Sequence, residues 1–237
     1  FRRVLFRSEL TGAFGDIDVN ASNDATVSLD IATLSGDITD FTVAADNSTI
    51  DVTTNSFLAG TPTNHSVDIT NLTATASLNS DVNITLNGDT NIGNDITASA
   101  DDSTLNLTIT NASGSANNIT IDANNNADTT VNVGGTIGLT GTLHVGANDG
   151  TATALFTELT STYGNIDVNA SNDATVSLDI ATLSGDITDF TVAADNSTID
   201  VTTSNNGSDD IVNITNLTAT ASLGSDVAIS LDGNTTF

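Results

Sequence analysis

Apolar and polar residues alternate along most of this chain, and the alternation returns at nearly fixed intervals. An alanine just before a cluster of Asn, Asp and Ser marks the period: Ala21, Ala45, Ala76, Ala100, Ala123, Ala147, Ala170, Ala194 and Ala221. Successive markers lie 24, 31, 24, 23, 24, 23, 24 and 27 residues apart, so the underlying period is 23 or 24. Four positions before the first six markers stand Ile17, Phe41, Leu72, Ile96, Ile119 and Leu143, and two before them Val19, Val43, Ala74, Ala98, Ile121 and Val145. The residues between are polar: Asp18, Thr42, Thr73, Thr97, Thr120 and His144. Alternation with period two predicts a strand with one buried face in every sub-repeat. A second alternating strand follows the polar cluster, as in Val27-Ser28-Leu29, Ile50-Asp51-Val52, Val82-Asn83-Ile84, Leu105-Asn106-Leu107 and Val131-Asn132-Val133. Asn and Asp suit the corner between the two because they tolerate left-handed backbone angles and bond their own main chain.

A larger repeat encloses the small one. Residues 17–54 recur without change at 166–203, an offset of 149, and residues 71–92 recur more loosely at 216–237, an offset of 145. The lost four residues fall where the stretch 55–66, with Phe57, Pro62 and His65, gives way to a shorter one around Asn205-Asn206-Gly207. A surface loop tolerates such a change. The organisation read from this is a complete unit of six coils at 9–157 and a partial second unit at 158–237. Sub-repeats this short cannot close a core alone, but stacked copies can. The expected fold is therefore all-β, a parallel β-solenoid (β-helix) with coils of about 24 residues, rising about 29 Å per six-coil unit at the ordinary strand spacing. Tandem antiparallel β-sandwiches are the alternative; they show many short strands too, but not a repeating 24-residue pattern.

Composition narrows what such a rod can do. The chain has 237 residues with 30 Asp plus Glu against 3 Lys plus Arg, a formal charge of −27, and no Cys. A basic groove for nucleic acid is excluded by that balance, and disulfides or Cys-ligated metals by the missing sulfur. Hydrophobic residues make up 38% and aromatics 4%, which fits a narrow cross-section rather than a large core. No long apolar run is present, so no membrane insertion is expected of this segment. Arg2, Arg3 and Arg7 all fall within Phe1–Ser8. That stretch, FRRVLFRS, resembles a DNA-sequencing adapter translated in one frame, and residues 1–8 are set aside as non-native.

Candidate chemistry is sparse. Asp24, Asp46, Asp81, Asp101, Asp102, Asp149, Asp173, Asp195 and Asp226 all sit in the corner after a marker. Stacked at one-coil spacing, carboxylates about 5 Å apart would repel by roughly 0.8 kcal/mol per pair in water, less than the ~2 kcal/mol from burying one Ile or Val. The rod thus requires no cofactor. Two readings stand for this edge: weak, fractional Ca²⁺ binding by hard oxygen ligands, or a solvated acidic face. His65 and His144 are the only histidines and read as exposed side chains without a catalytic partner set. Thr73/Thr75 and Thr218/Thr220 suggest a threonine array of the ice-binding kind, which the other coils do not continue. No nucleophile, base and orienter stand out, so the chain is expected not to be an enzyme.

GDIDVNASNDATVSLDIA at 15–32, STLNLTIT at 103–110 and the Lys-free, Asp/Asn/Thr-rich composition resemble the β-strand-repeat proteins of bacterial surfaces. These include filamentous haemagglutinin-like adhesins, autotransporter passengers and repetitive surface-layer or calcium-dependent adhesins. The likeness is one of texture and carries no family residue onto a numbered position. It implies secretion, display at the cell surface and a spacer or adhesive role. The implied partners are a host or cell-surface carbohydrate or protein, or further copies in a surface layer. A β-helical carbohydrate-active enzyme is the second reading and an ice-binding solenoid the third.

Overall fold

The computed structural model describes residues 3–55, 66–204 and 211–237. It is a parallel β-solenoid of about nine turns, with 83% strand and no helix among the described residues. Every strand pairing among the described residues is parallel, which removes the antiparallel sandwich alternative. The coils are numbered one to nine by their marker alanines. Those alanines stack in one unbroken column, Ala21 on Ala45, Ala45 on Ala76, and so on to Ala194 on Ala221. Four positions earlier, Ile17, Phe41, Leu72, Ile96, Ile119, Leu143, Ile166, Phe190 and Leu217 stack in the same register.

Burial follows the alternation. Phe41, Leu72, Ile96, Ile119, Leu143, Ile166 and Phe190 are all fully buried, and so are their companions two positions on, from Val43 to Val192. With apolar stacked on apolar, each coil closes the core of the last. The second strand corrects one expected triplet. Val131-Asn132-Val133 does not lie over Leu105-Asn106-Leu107: Thr129 pairs with Leu105, and Val131 with Leu107. The aliphatic column is thus interrupted by a buried threonine, whose hydroxyl donates to the Asp122 carbonyl at 2.7 Å. That bond satisfies the one polar atom an otherwise isosteric valine would lack.

Corners come in two lengths that alternate along the rod. Coils one, three, five, seven and nine use a longer corner with two residues of positive φ, such as Asn23 and Asp24, or Leu78 and Asn79. Coils two, four, six and eight use a corner one residue shorter with a single such residue: Asn47, Asp102, Asp149 or Asn196. This alternation produces the 24/23 spacing of the markers. Beneath the corner runs a buried column of small residues. The Ser48 hydroxyl accepts from the Ala25 N–H at 3.2 Å, Ser80 from Ser48 at 3.2 Å, and Ser103 from Ser80 at 3.0 Å. Serines that the sequence offers as turn residues are in fact interior, because each replaces a main-chain acceptor where the ladder bends.

A third, less regular stretch completes each coil. Register shifts concentrate there, between Leu86 and Asp89, Ile109 and Ala112, and Phe156 and Glu158. Gly36 and the equivalent Gly185 hold φ of +117° and +96°, and a Cβ on them would stand 1.8 Å from the Gly12 oxygen and 2.0 Å from the Ser161 oxygen. Only glycine permits such an approach of backbone to backbone. The loop expected at 55–66 falls almost wholly on residues 56–65, which, including Phe57, Pro62 and His65, lie outside the described residues, as do residues 205–210. Arg3–Ser8, set aside on sequence, belongs to a strand, Arg3–Thr11, that pairs with Thr26–Ser35. An open parallel edge accepts an extended segment through main-chain bonds alone.

Candidate functional site

All nine corner aspartates are exposed, as expected of an acidic edge. Their stacking is different from the expected one. Asp46, Asp101 and Asp195 follow the marker alanine and pair with Ser22 and Ser77, Ser77 and Asn124, and Ser171 and Ser222. Asp24, Asp102, Asp149 and Asp173 are left-handed corner residues, and main-chain hydrogen bonds set them beside Asn47, Asn79, Asn126 and Asn196. Asp81 and Asp226 precede the second strand and stack on threonines: Thr49 and Thr104 for the first, Thr198 for the second. The nine therefore occupy three columns, and none of these pairings sets one of them on another.

Side chains reinforce the interleaving. The Asn47 amide donates to Asp24 at 2.9 Å, Asn196 to Asp173 at 2.7 Å, and the Ser222 hydroxyl to Asp195 at 2.8 Å. Away from the corner, Asn71 donates to Asp40 at 2.7 Å, Asn83 to Asp51 at 3.1 Å and Asn216 to Asp189 at 2.8 Å. A neutral donor from the next coil thus meets each of these acids, so a column gains a charge-assisted hydrogen bond where it would have met like-charge repulsion. The donors that meet these carboxylates come from the chain itself. Among the described residues no group of three or more His, Asp or Glu is placed to share one ion. Acid does face acid at Asp16 with Asp40 and at Asp37 with Asp68. In the second unit Asn213 takes the place of Asp68 and donates to Asp186, the counterpart of Asp37, at 2.8 Å.

His144 is less isolated than its sequence suggests. It stands in the outward column between Thr120 and Asp167. Its Nε2 lies 3.2 Å from Asp122 Oδ1 in the coil before, and its Nδ1 3.1 Å from Asp167 Oδ2 in the coil after. The imidazole leans over Gly146, where a Cβ would stand 2.7 Å from Nε2. The hydrogen bond to Asp122 raises the histidine pKa above its ordinary value; partial burial opposes the rise, and the Asp122 charge and the Asp167 contact add to it. The expected exposed side chain is thus half-buried and carries two carboxylate partners. Asp122 lies one coil back and two positions along, a diagonal that becomes visible only once the coil register is known. Its column also carries the longest threonine stack, Thr42, Thr73, Thr97 and Thr120, which His144 ends.

No protein-family model matches the chain, and no curated protein or solved structure is significantly similar to it.

Proposed function

We propose that this chain is a shaft segment of a large extracellular bacterial repeat protein, a non-catalytic rod that sets distance and presents surface. The supporting observation is the registered self-repetition of nine coils, in which the inward positions of the marker strand stack apolar on apolar from coil to coil. A body whose units touch only their neighbours lengthens by addition and keeps one cross-section. Outward, the Asn–Asp and Ser–Asp bonds occupy the polar surface with itself, while the net negative charge keeps rods soluble and apart. The partner in this reading is a carbohydrate or protein of a host or cell surface, or another copy in a surface layer. A polar face of this kind meets such partners through hydroxyls, amides and carboxylates.

Chains carrying one, two and three of the 149-residue units test the reading. Small-angle scattering should give an axial length that grows by about 29 Å per unit at constant cross-sectional radius. Growth in radius instead, or units that behave as loosely hinged beads, would remove the spacer role. Glycan-array and cell-surface binding of the same chains then separates an adhesive shaft, which binds more as units are added, from a passive one.

A further inference from the structure

We propose that Asp122, His144 and Asp167 form a proton-operated clamp that ties three successive coils together when the imidazole is charged. Asp122 belongs to the strand Asn118–Asn124, His144 to Thr142–Asn148 and Asp167 to Thr151–Ser171, which are consecutive rungs of one face. On the paired segments of these rungs, 118–124, 142–148 and 165–171, the two aspartates are the only other titratable side chains. The remaining outward neighbours are Thr120, Thr142, Asn165 and Asn169, and the Asn169 amide donates to the second oxygen of Asp167 at 2.8 Å, fixing that carboxylate.

The chemistry of the ring makes the device switch. A neutral imidazole has one donor and one acceptor, so it can donate to only one of the two carboxylates and turns a lone pair toward the other. A charged imidazole donates from both nitrogens, and the contacts at 3.2 and 3.1 Å are then both hydrogen bonds to an anion. The two carboxylates raise the pKa in the folded rod. A raised folded value means the stabilisation is fully present below the unfolded imidazole value of about 6.5 and is lost as pH climbs through the higher folded value. Gly146 is part of the arrangement, since a side chain there would displace both the ring and Asp122, whose Oδ1 would stand 2.9 Å from the added Cβ.

The test compares the full chain with H144T, G146A and D167N. H144T installs the residue found at Thr120, Thr97 and Thr73 in the same column, so the strand is kept. Thermal midpoints are followed from pH 5 to pH 9 at fixed ionic strength, and imidazole titrations by NMR, His144 being identified by its absence in H144T. At pH 5.5 the parent should melt about 2–4 °C above H144T, and the gap should close by pH 9. G146A and D167N should each move the His144 titration down toward the ordinary value, G146A without removing any ionisable group. A gap of equal size at pH 5.5 and pH 9, or a His144 titration that G146A and D167N leave in place, overturns the clamp.

Discussion

Coils three and nine share the heptapeptide Asn-Leu-Thr-Ala-Thr-Ala-Ser, at 71–77 and 216–222, yet they live in different surroundings. In coil three, Leu72, Ala74 and Ala76 are buried, because coil four covers them; in coil nine, Leu217 is 41% exposed and Ala219 and Ala221 are exposed. The same letters give a core in one place and a surface in the other. Alternation in the sequence therefore states which residues face inward, while the neighbouring coil supplies the burial and most of its free energy. Local features such as the corner conformation do not depend on the neighbour: Leu78 and Leu223 hold φ of 55° and 49° in the two coils.

The largest contrast comes from truncating the same leucine in both places. Leu72→Ala should cost about 2–5 kcal/mol in urea unfolding, the range for a fully buried leucine, against about 1 kcal/mol or less for Leu217→Ala. Equal costs would mean that each coil carries its own core. Glycines give a second contrast of similar sense. Gly185→Ala meets the Ser161 oxygen, whereas at Gly224, with φ of +80°, nothing lies within 4 Å. Thermal unfolding should show a loss of about 2–4 kcal/mol for the first and about 1 kcal/mol for the second, where only backbone conformation is disfavoured. The smallest effect should not distinguish the coils at all. Leu78→Asn and Leu223→Asn each place a residue tolerant of left-handed angles where Asn23 and Asn172 already stand, and each should gain about 1 kcal/mol. A gain at one site only would show that corner strain, too, is set by the stack.

The columns of Ile17 and Ala21 were legible from the sequence because a parallel stack places residues one period apart directly over each other. Thr129 broke the reading of the second strand because its polarity hides a buried position that a hydrogen bond to Asp122 makes acceptable. Ser48, Ser80 and Ser103 escaped for the same reason. The acidic edge was legible as composition but not as geometry: whether Asp24 lies over an acid or over Asn47 depends on corner lengths differing by one residue, which the 24/23 rhythm of the markers encodes. His144 and Asp122 became neighbours only through register. Aligning the coils on their alanines would have set His144 directly between Thr120 and Asp167, with Asp122 one step away on the diagonal.

Amide hydrogen exchange, read residue by residue in 72–77 and 217–222, tests the stacking claim most directly, because the two segments are identical and intrinsic exchange rates cancel. The account predicts protection in coil three at least about a hundredfold greater than in coil nine, the factor that a ~3 kcal/mol difference in local opening gives. Equal protection of the two heptapeptides would contradict it, since burial would then belong to the coil itself and not to its neighbours.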